Sequence, residues 1–199
     1  MALAEERSSE LEAPRESLAK KVWGLGVRHV VFMALGAALY AGLSYATNSL
    51  TLPGASNISL RPGIVIPFFF GAVFGPWVGL FTGLVGNSIS DAFSYGIYWN
   101  WEIGLGLVGF VPGLVMYFTR GRYNNAKRIS LAVVFSIIGL IVGLGFASLV
   151  DAFTSAGSPV TTLTTEFVPA FLSDTVFAIV LLPILLVAYN AALGRSGRS

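Results

Sequence analysis

The sequence predicts an all-α membrane protein, with six transmembrane helices in a compact bundle and both termini in the cytoplasm. Three observations support this fold class. Hydrophobic residues make up 55% of the 199 residues and charged residues only 11%, which is far too apolar for a soluble domain. The apolar residues form runs long enough to cross a bilayer. Lysine and arginine are concentrated between alternate runs, as in loops that face the cytoplasm.

The second of five apolar runs decides the number of spans. About 20 residues cross a bilayer core as a helix, and the 31 residues at 63–93 would extend about 46 Å. Gly75-Pro76 lies near the middle of this run, and this dipeptide is typical of a point where one helix ends and another begins. We therefore expect two short helices there. The other four runs are residues 27–46, 101–118, 129–150 and 167–193.

The placement of basic residues supports six spans over five. With six, all the basic flanks fall on one side, which the positive-inside rule assigns to the cytoplasm. They are Lys20, Lys21, Arg28, Arg120, Arg122, Lys127, Arg128, Arg195 and Arg198. The predicted domains are a cytoplasmic tail at residues 1–22, a six-helix transmembrane domain at 23–194 and a cytoplasmic tail at 195–199. The chain is expected to be a multi-pass protein.

Acidic side chains gather at the opposite, outer ends of these helices. They are Asp91, Glu102, Asp151, Glu166 and Asp174. An ionisable group at this depth is costly unless it faces a cavity or a partner, so each is a functional hypothesis. Asn87 and Asp91 share one face of the third span, and this face either lines a cavity or is a hydrogen-bond cluster between helices. Arg61 is expected to pair with an acid or to hold an anionic group of a ligand.

The segment Trp99-Asn100-Trp101-Glu102 places two indoles beside an amide and a carboxylate. Aromatic residues at this depth often form only an interfacial belt, but flat rings beside a carboxylate also suit a ring-shaped ligand. We expect Glu102 to be the central polar contact and Trp99 or Trp101 the stacking surface. Five outer acids against one arginine favour a neutral or cationic ligand. The predicted site comprises Arg61, Asn87, Asp91, Trp99, Asn100, Trp101, Glu102 and Asp174.

Catalysis and nucleic-acid binding find no support in the sequence. His29 is the single histidine, cysteine is absent, and the HExxH and P-loop motifs are missing, so no catalytic residue, metal site or cofactor is expected. No soluble basic face remains for a nucleic acid. The alternatives that stay open are a scaffold protein without a ligand and a small channel, with an intramembrane enzyme last.

The first span carries small residues that allow another helix to approach closely. Ala34, Ala38 and Gly42 are spaced by four, and Ala37 and Ala41 lie alongside. This stripe serves either packing inside the bundle or docking of another membrane subunit. The glycine pairs 109/113 and 139/143 are expected to serve internal packing.

Three segments carry a resemblance to a known family. The Arg61-Pro62-Gly63 start, the Phe74-Gly75-Pro76 turn and the glycines of residues 79–86 resemble the second and third helices of S components of energy-coupling factor (ECF) transporters. Residues 99–113 resemble the fourth helix, and the alanine stripe is similar to an element of the first. The likeness covers residues 28–192.

The resemblance implies a substrate-binding domain that captures a vitamin or related micronutrient at the outer face, under the loop at residues 47–61. It implies the substrate-specific subunit of an ATP-driven importer in a prokaryotic plasma membrane. A transmembrane T component and two cytosolic ATPases would be its partners, so this subunit itself is not expected to be an enzyme. The family's T-component contacts map to Ala34, Ala37, Ala38, Ala41 and Gly42. No vitamin signature is present, and the acids favour a thiamine- or pyrimidine-like compound.

Overall fold

The computed structural model describes residues 19–20, 22–50, 59–94, 96–154 and 158–196. Six main helices lie within these ranges. They are α1 (Val27–Thr47), α2 (Val65–Phe74), α3 (Pro76–Ala92), α4 (Trp99–Gly113), α5 (Ala126–Thr154) and α6 (Val168–Ser196). Most of the two predicted tails lies outside the described residues, as do residues 51–58 of the loop after α1.

Short helical segments extend three of these helices. A 3₁₀ turn at Pro62–Ile64 leads into α2, and Met116–Thr119 continues α4. Pro159–Thr162 and a π-helical turn at Leu163–Phe167 lead into α6. In the described part of the chain, four helices are long and apolar enough to cross a membrane: Val27–Thr47, Trp99–Thr119, Ala126–Thr154 and Pro159–Gly194. The helix at Pro62–Phe74 is shorter, and α3 has 17 residues.

The predicted division of the second apolar run is confirmed. Gly75 ends α2 with φ 109° and ψ 166°, a conformation that a side chain strongly disfavours. Its backbone N–H donates to the carbonyl of Gly71 at 2.8 Å. Pro76 follows as the first residue of α3, where its missing N–H costs nothing. The reversal returns the chain to the end from which α2 started.

Glycines bring α4 into direct backbone contact with its neighbours. A Cβ added at Gly79 of α3 would lie 2.0 Å from the carbonyl oxygen of Gly109, and one at Gly143 of α5 would lie 2.3 Å from that of Gly104. Such contacts are open only to residues without a side chain. The expected internal packing of Gly109 and Gly143 is therefore confirmed, and α4 is the centre of the bundle.

The bundle has two chemically different ends. The carboxyl ends of α1, α3 and α5 lie with the amino ends of α2, α4 and α6, and this end holds the acids from Asp91 to Asp174. The other end holds Lys20, Arg28 and Arg120. Between them the interior is apolar, with fully buried side chains that include Phe68, Leu105, Leu140, Leu144 and Leu182.

Replacing Gly79 by alanine should destabilise the protein, because its Cβ would overlap the Gly109 carbonyl. Overpacking of this kind costs roughly 1–3 kcal/mol. Thermal unfolding of the purified protein in detergent measures the effect. Gly42→Ala is the matched control, since nothing lies within 4 Å of a Cβ there. Equal melting temperatures for the two variants would contradict the backbone contact.

Candidate functional site

Asn87 is the centre of a buried hydrogen-bond cluster at the acidic end. Its Nδ2 donates to Asp91 Oδ2 at 2.9 Å and to Glu102 Oε2 at 3.1 Å, and its Oδ1 accepts from the hydroxyl of Tyr40 at 3.3 Å. Asn87 and Glu102 are each only 4% exposed. A single amide thus joins α1, α3 and α4 and holds two carboxylates next to each other.

Glu102 is partly satisfied by this cluster. Ser88 Oγ donates to its Oε2 at 3.1 Å, and its position in the first turn of α4 lets the helix dipole stabilise a negative charge. Its other oxygen, Oε1, is buried and has no hydrogen-bond partner among the described residues. A buried acceptor without a donor costs about 1–3 kcal/mol. Glu102 Oε1 is therefore an acceptor without a donor among the described residues, and the carboxyl group of Asp91 lies within hydrogen-bond reach of the Glu102 side chain.

Arg61 and Asp174 form the one salt bridge between described residues. Arg61 Nη2 lies 3.0 Å from Asp174 Oδ2, and the two side chains are 13% and 1% exposed. Pairing with an acid, one of the two roles expected of Arg61, is thus what the structure shows. Arg61 also interacts electrostatically with Asp91, but its guanidinium is hydrogen-bonded to Asp174. The pair fixes the start of α2 against α6.

Asp151 ties α5 to the start of α4. Its Oδ1 accepts from Asn100 Nδ2 at 2.9 Å and its Oδ2 from the indole N–H of Trp101 at 2.6 Å. Asn100 Nδ2 also donates to the carbonyl of Ala147 at 3.0 Å. Both carboxylate oxygens of Asp151 are therefore used inside the protein. Asn100 and Trp101 hold two helices together beside the Asn87 cluster.

Trp99 lies outside this network. Its side chain is 59% exposed, like the neighbouring Tyr98 at 55%, and this position is typical of an interfacial aromatic belt. Of the two indoles expected to offer a stacking surface, Trp101 is the one that the structure brings to the polar groups. Asn87, Asp91 and Glu102 are brought together as one cluster, and Arg61 and Asp174 lie beside it.

Three polar residues of this end were not among the predicted site residues. Tyr40 lies on the buried face of α1. A buried tyrosine hydroxyl usually has a hydrogen-bond partner, and this expectation could have identified Tyr40 as part of a polar cluster. Ser88 follows Asn87 directly and carries no periodic signal of its own. Asn48 holds the end of α1 against α3, since its Nδ2 donates to Ser90 Oγ at 3.0 Å and to Ser94 Oγ at 2.8 Å.

The cluster is built from carboxylates and hydrogen-bonding side chains. Across the described ranges, no three His, Cys, Asp or Glu side chains are grouped so that they could hold a metal ion. The polar groups are two carboxylates, of Asp91 and Glu102, and the hydrogen-bonding side chains of Asn87, Ser88 and Tyr40, gathered at one end of an apolar bundle. They suit a small ligand with N–H groups or a positive charge. A cavity of about 360 Å³ lies at the opposite, basic end, away from these acids.

The chain is similar to known proteins over most of its length. A family model described as "ECF-type riboflavin transporter, S component" matches residues 24–191, which include α1 to α5 and most of α6. The chain is also 34% identical over 134 residues to a UPF0397 protein of Vibrio atlanticus (strain LGP32). That alignment covers 64% of this chain and 71% of the relative.

Proposed function

The chain belongs to the family of ECF-type riboflavin transporter S components, and from that membership we propose that it captures a pyrimidine-containing vitamin for an ATP-driven importer. The family consists of transport subunits and not of enzymes. The capture site of the proposal is the Asn87 cluster. The observation that carries it is the buried Oε1 of Glu102, which has no donor among the described residues.

Charge favours a cationic ligand of the thiamine class as the first candidate. Glu102 and Asp91 share one neutral amide, and two neighbouring carboxylates in an apolar bundle are stabilised by a cation between them. An aminopyrimidine offers an amino N–H that can donate to Glu102 Oε1, and its neighbouring ring nitrogen can pair with the other side of the carboxyl group when one of the two carries a proton. Ring stacking is assigned to the half-buried Trp101, the residue that precedes Glu102 in the chain.

Riboflavin is the second candidate, and the description of the matching family favours it. Its ring system contains a pyrimidine ring whose N–H can donate to Glu102 Oε1. Riboflavin is neutral, so it leaves the charges of Asp91 and Glu102 uncompensated. The two candidates therefore differ in how strongly their binding depends on the charge of Glu102.

The distribution of charge supports capture from outside the cell. Loops rich in lysine and arginine face the cytoplasm, so the basic end is proposed to be cytoplasmic and the Asn87 cluster external. The localisation that follows is the plasma membrane of a prokaryote. The loop after α1, whose residues 51–58 lie outside the described part of the chain, is proposed to cover the site.

The small residues of α1 divide into two faces. Ala37 and Ala41 are 3% and 6% exposed and pack inside the bundle. Ala34, Ala38 and Gly42 are exposed and form a smooth strip to which another helix can pack closely. We assign this exposed strip to a transmembrane T component, which would link the subunit to two cytosolic ATPases.

The two rival functions explain these observations less well. A channel needs a polar path through the bundle, but the interior between the two ends is filled by side chains such as Phe68, Leu105 and Leu140, which are 0% exposed. A scaffold protein needs polar groups that satisfy one another. Both oxygens of Asp151 accept hydrogen bonds inside the protein, whereas Glu102 Oε1 has no donor among the described residues.

Replacing Glu102 by glutamine should weaken thiamine binding about tenfold or more, because a hydrogen bond to a charged group contributes roughly 1.5–3 kcal/mol. Riboflavin affinity should change less, about threefold or below. Tryptophan fluorescence titration of the full-length protein in detergent measures both affinities. If the wild-type protein binds neither vitamin, the proposed ligand class is wrong.

Glu166→Gln is the matched control, because it makes the same chemical change at an acid that has no hydrogen bond to Asn87. It should leave both affinities within about twofold. If Glu102→Gln binds thiamine as tightly as the wild type, Glu102 is not part of the site.

Placing a large side chain on the exposed strip of α1 should prevent assembly without affecting ligand binding. Ala38→Trp is expected to abolish co-purification with the T component, because the indole keeps the two helix backbones apart. Ile138→Trp on α5 is the control, since Ile138 is also exposed, at 42%, but lies on another helix. Co-purification of Ala38→Trp at the wild-type level would show that the T component docks elsewhere.

A further inference from the structure

The cavity of about 360 Å³ at the basic end is lined by two kinds of side chain. Cationic or polar ones include Lys20, Arg28, His29, Arg120 and Arg122. Apolar ones include Phe32, Phe74 and Leu193. None of these residues belongs to the capture site, and the inference rests on the proposed function only for placing this end at the cytoplasmic side.

The basic residues converge from distant parts of the chain. Lys20, Arg28 and His29 precede or begin α1, whereas Arg120 and Arg122 follow α4 by a short turn. Several cationic side chains that line one cavity create a positive potential that attracts an anion. Their shared position therefore indicates an anionic ligand.

His29 adds a further donor to this group. Its Nδ1 accepts a hydrogen bond from the backbone N–H of Gly26 at 3.2 Å. In the neutral ring the proton then lies on Nε2, which acts as a donor.

Arg28 lies over the ring of Phe32, with 5.4 Å between its Cζ and the ring centroid. Phe32 is in turn stacked on Phe74, with 3.8 Å between the two ring centroids. The guanidinium is thus held beside the apolar side chains.

The backbone at Arg120 is unusual. Arg120 has φ 55°, a left-handed conformation adopted by no other non-glycine residue in the described ranges. This region disfavours side chains, and glycine is the usual residue at such a helix end. A residue held in a disfavoured conformation points to a role for its side chain, and this side chain lines the cavity.

We propose that this cavity binds the headgroup of an anionic phospholipid. The basic side chains would bind the phosphate. The apolar side chains Phe32, Phe74 and Leu193 would pack against the first part of an acyl chain. Basic pockets between transmembrane helices at the cytoplasmic side are suited to such headgroups. A free phosphate ester would satisfy the cationic side chains alone, so the apolar side chains favour the lipid as the source of the anion.

Native mass spectrometry of the full-length protein, delipidated in a neutral detergent, tests the proposal. Phosphatidylglycerol should bind one molecule per chain and raise the melting temperature, while phosphatidylcholine should bind much more weakly. Removing one basic contact near the membrane surface should weaken binding about fivefold. The double variant Arg120→Gln/Arg122→Gln should therefore lose roughly 25-fold in phosphatidylglycerol affinity.

The control is Lys127→Gln/Arg128→Gln, which removes the same charge from the start of α5 but changes no residue that lines the cavity. It should bind phosphatidylglycerol within about twofold of the wild type. If both double variants lose the same phosphatidylglycerol affinity, the effect comes from net charge alone and the cavity is not the binding site. Stabilisation by inorganic phosphate or glycerol phosphate equal to that by the lipid would overturn the assignment to a phospholipid.

Discussion

Carboxylates held in an apolar helix bundle are the constraint on which the rest of this structure depends. Each buried acid must find a donor, a cation or a ligand, because the lipid around the bundle offers none. The fold responds by gathering these groups at one end. The reversal at Gly75 and Pro76 returns the chain to that end after the short α2 and α3. Glycine contacts around α4 then bring Asn87 within hydrogen-bond distance of Glu102.

The acids of this end fall into two classes. Asp151 is satisfied by Asn100 and Trp101, so it acts in holding helices together. Asp174 is paired with Arg61 through one oxygen, while its buried Oδ1 has no hydrogen-bond partner among the described residues. Asp91 and Glu102 share the amide of Asn87 and leave an acceptor without a donor. Satisfied and unsatisfied acids differ in what they leave for a ligand. This difference separates Asp151, whose two oxygens are both used inside the protein, from the acids that leave an acceptor open, which sequence position alone does not do.

The sequence predicted the helices and their two ends because those depend on strong local signals. Gly75-Pro76 marks a turn, apolar runs mark spans, and basic loops mark one side. The hydrogen-bond partners could not be predicted, since they depend on the rotation of each helix about its axis. In α1 small residues occupy several faces, so the sequence did not separate the buried Ala37 from the exposed Ala38. The exposure of Trp99 and the buried position of Tyr40 depend on the same rotation.

The central claim is that the Asn87 cluster is occupied by a small vitamin in the working protein. The most direct measurement is to purify the protein from membranes without added ligand, denature it and identify any released small molecule by mass spectrometry. The account predicts a pyrimidine-containing vitamin, close to one molecule per chain. A preparation that releases no such compound, and that shows no saturable binding when a vitamin panel is added back, would contradict it.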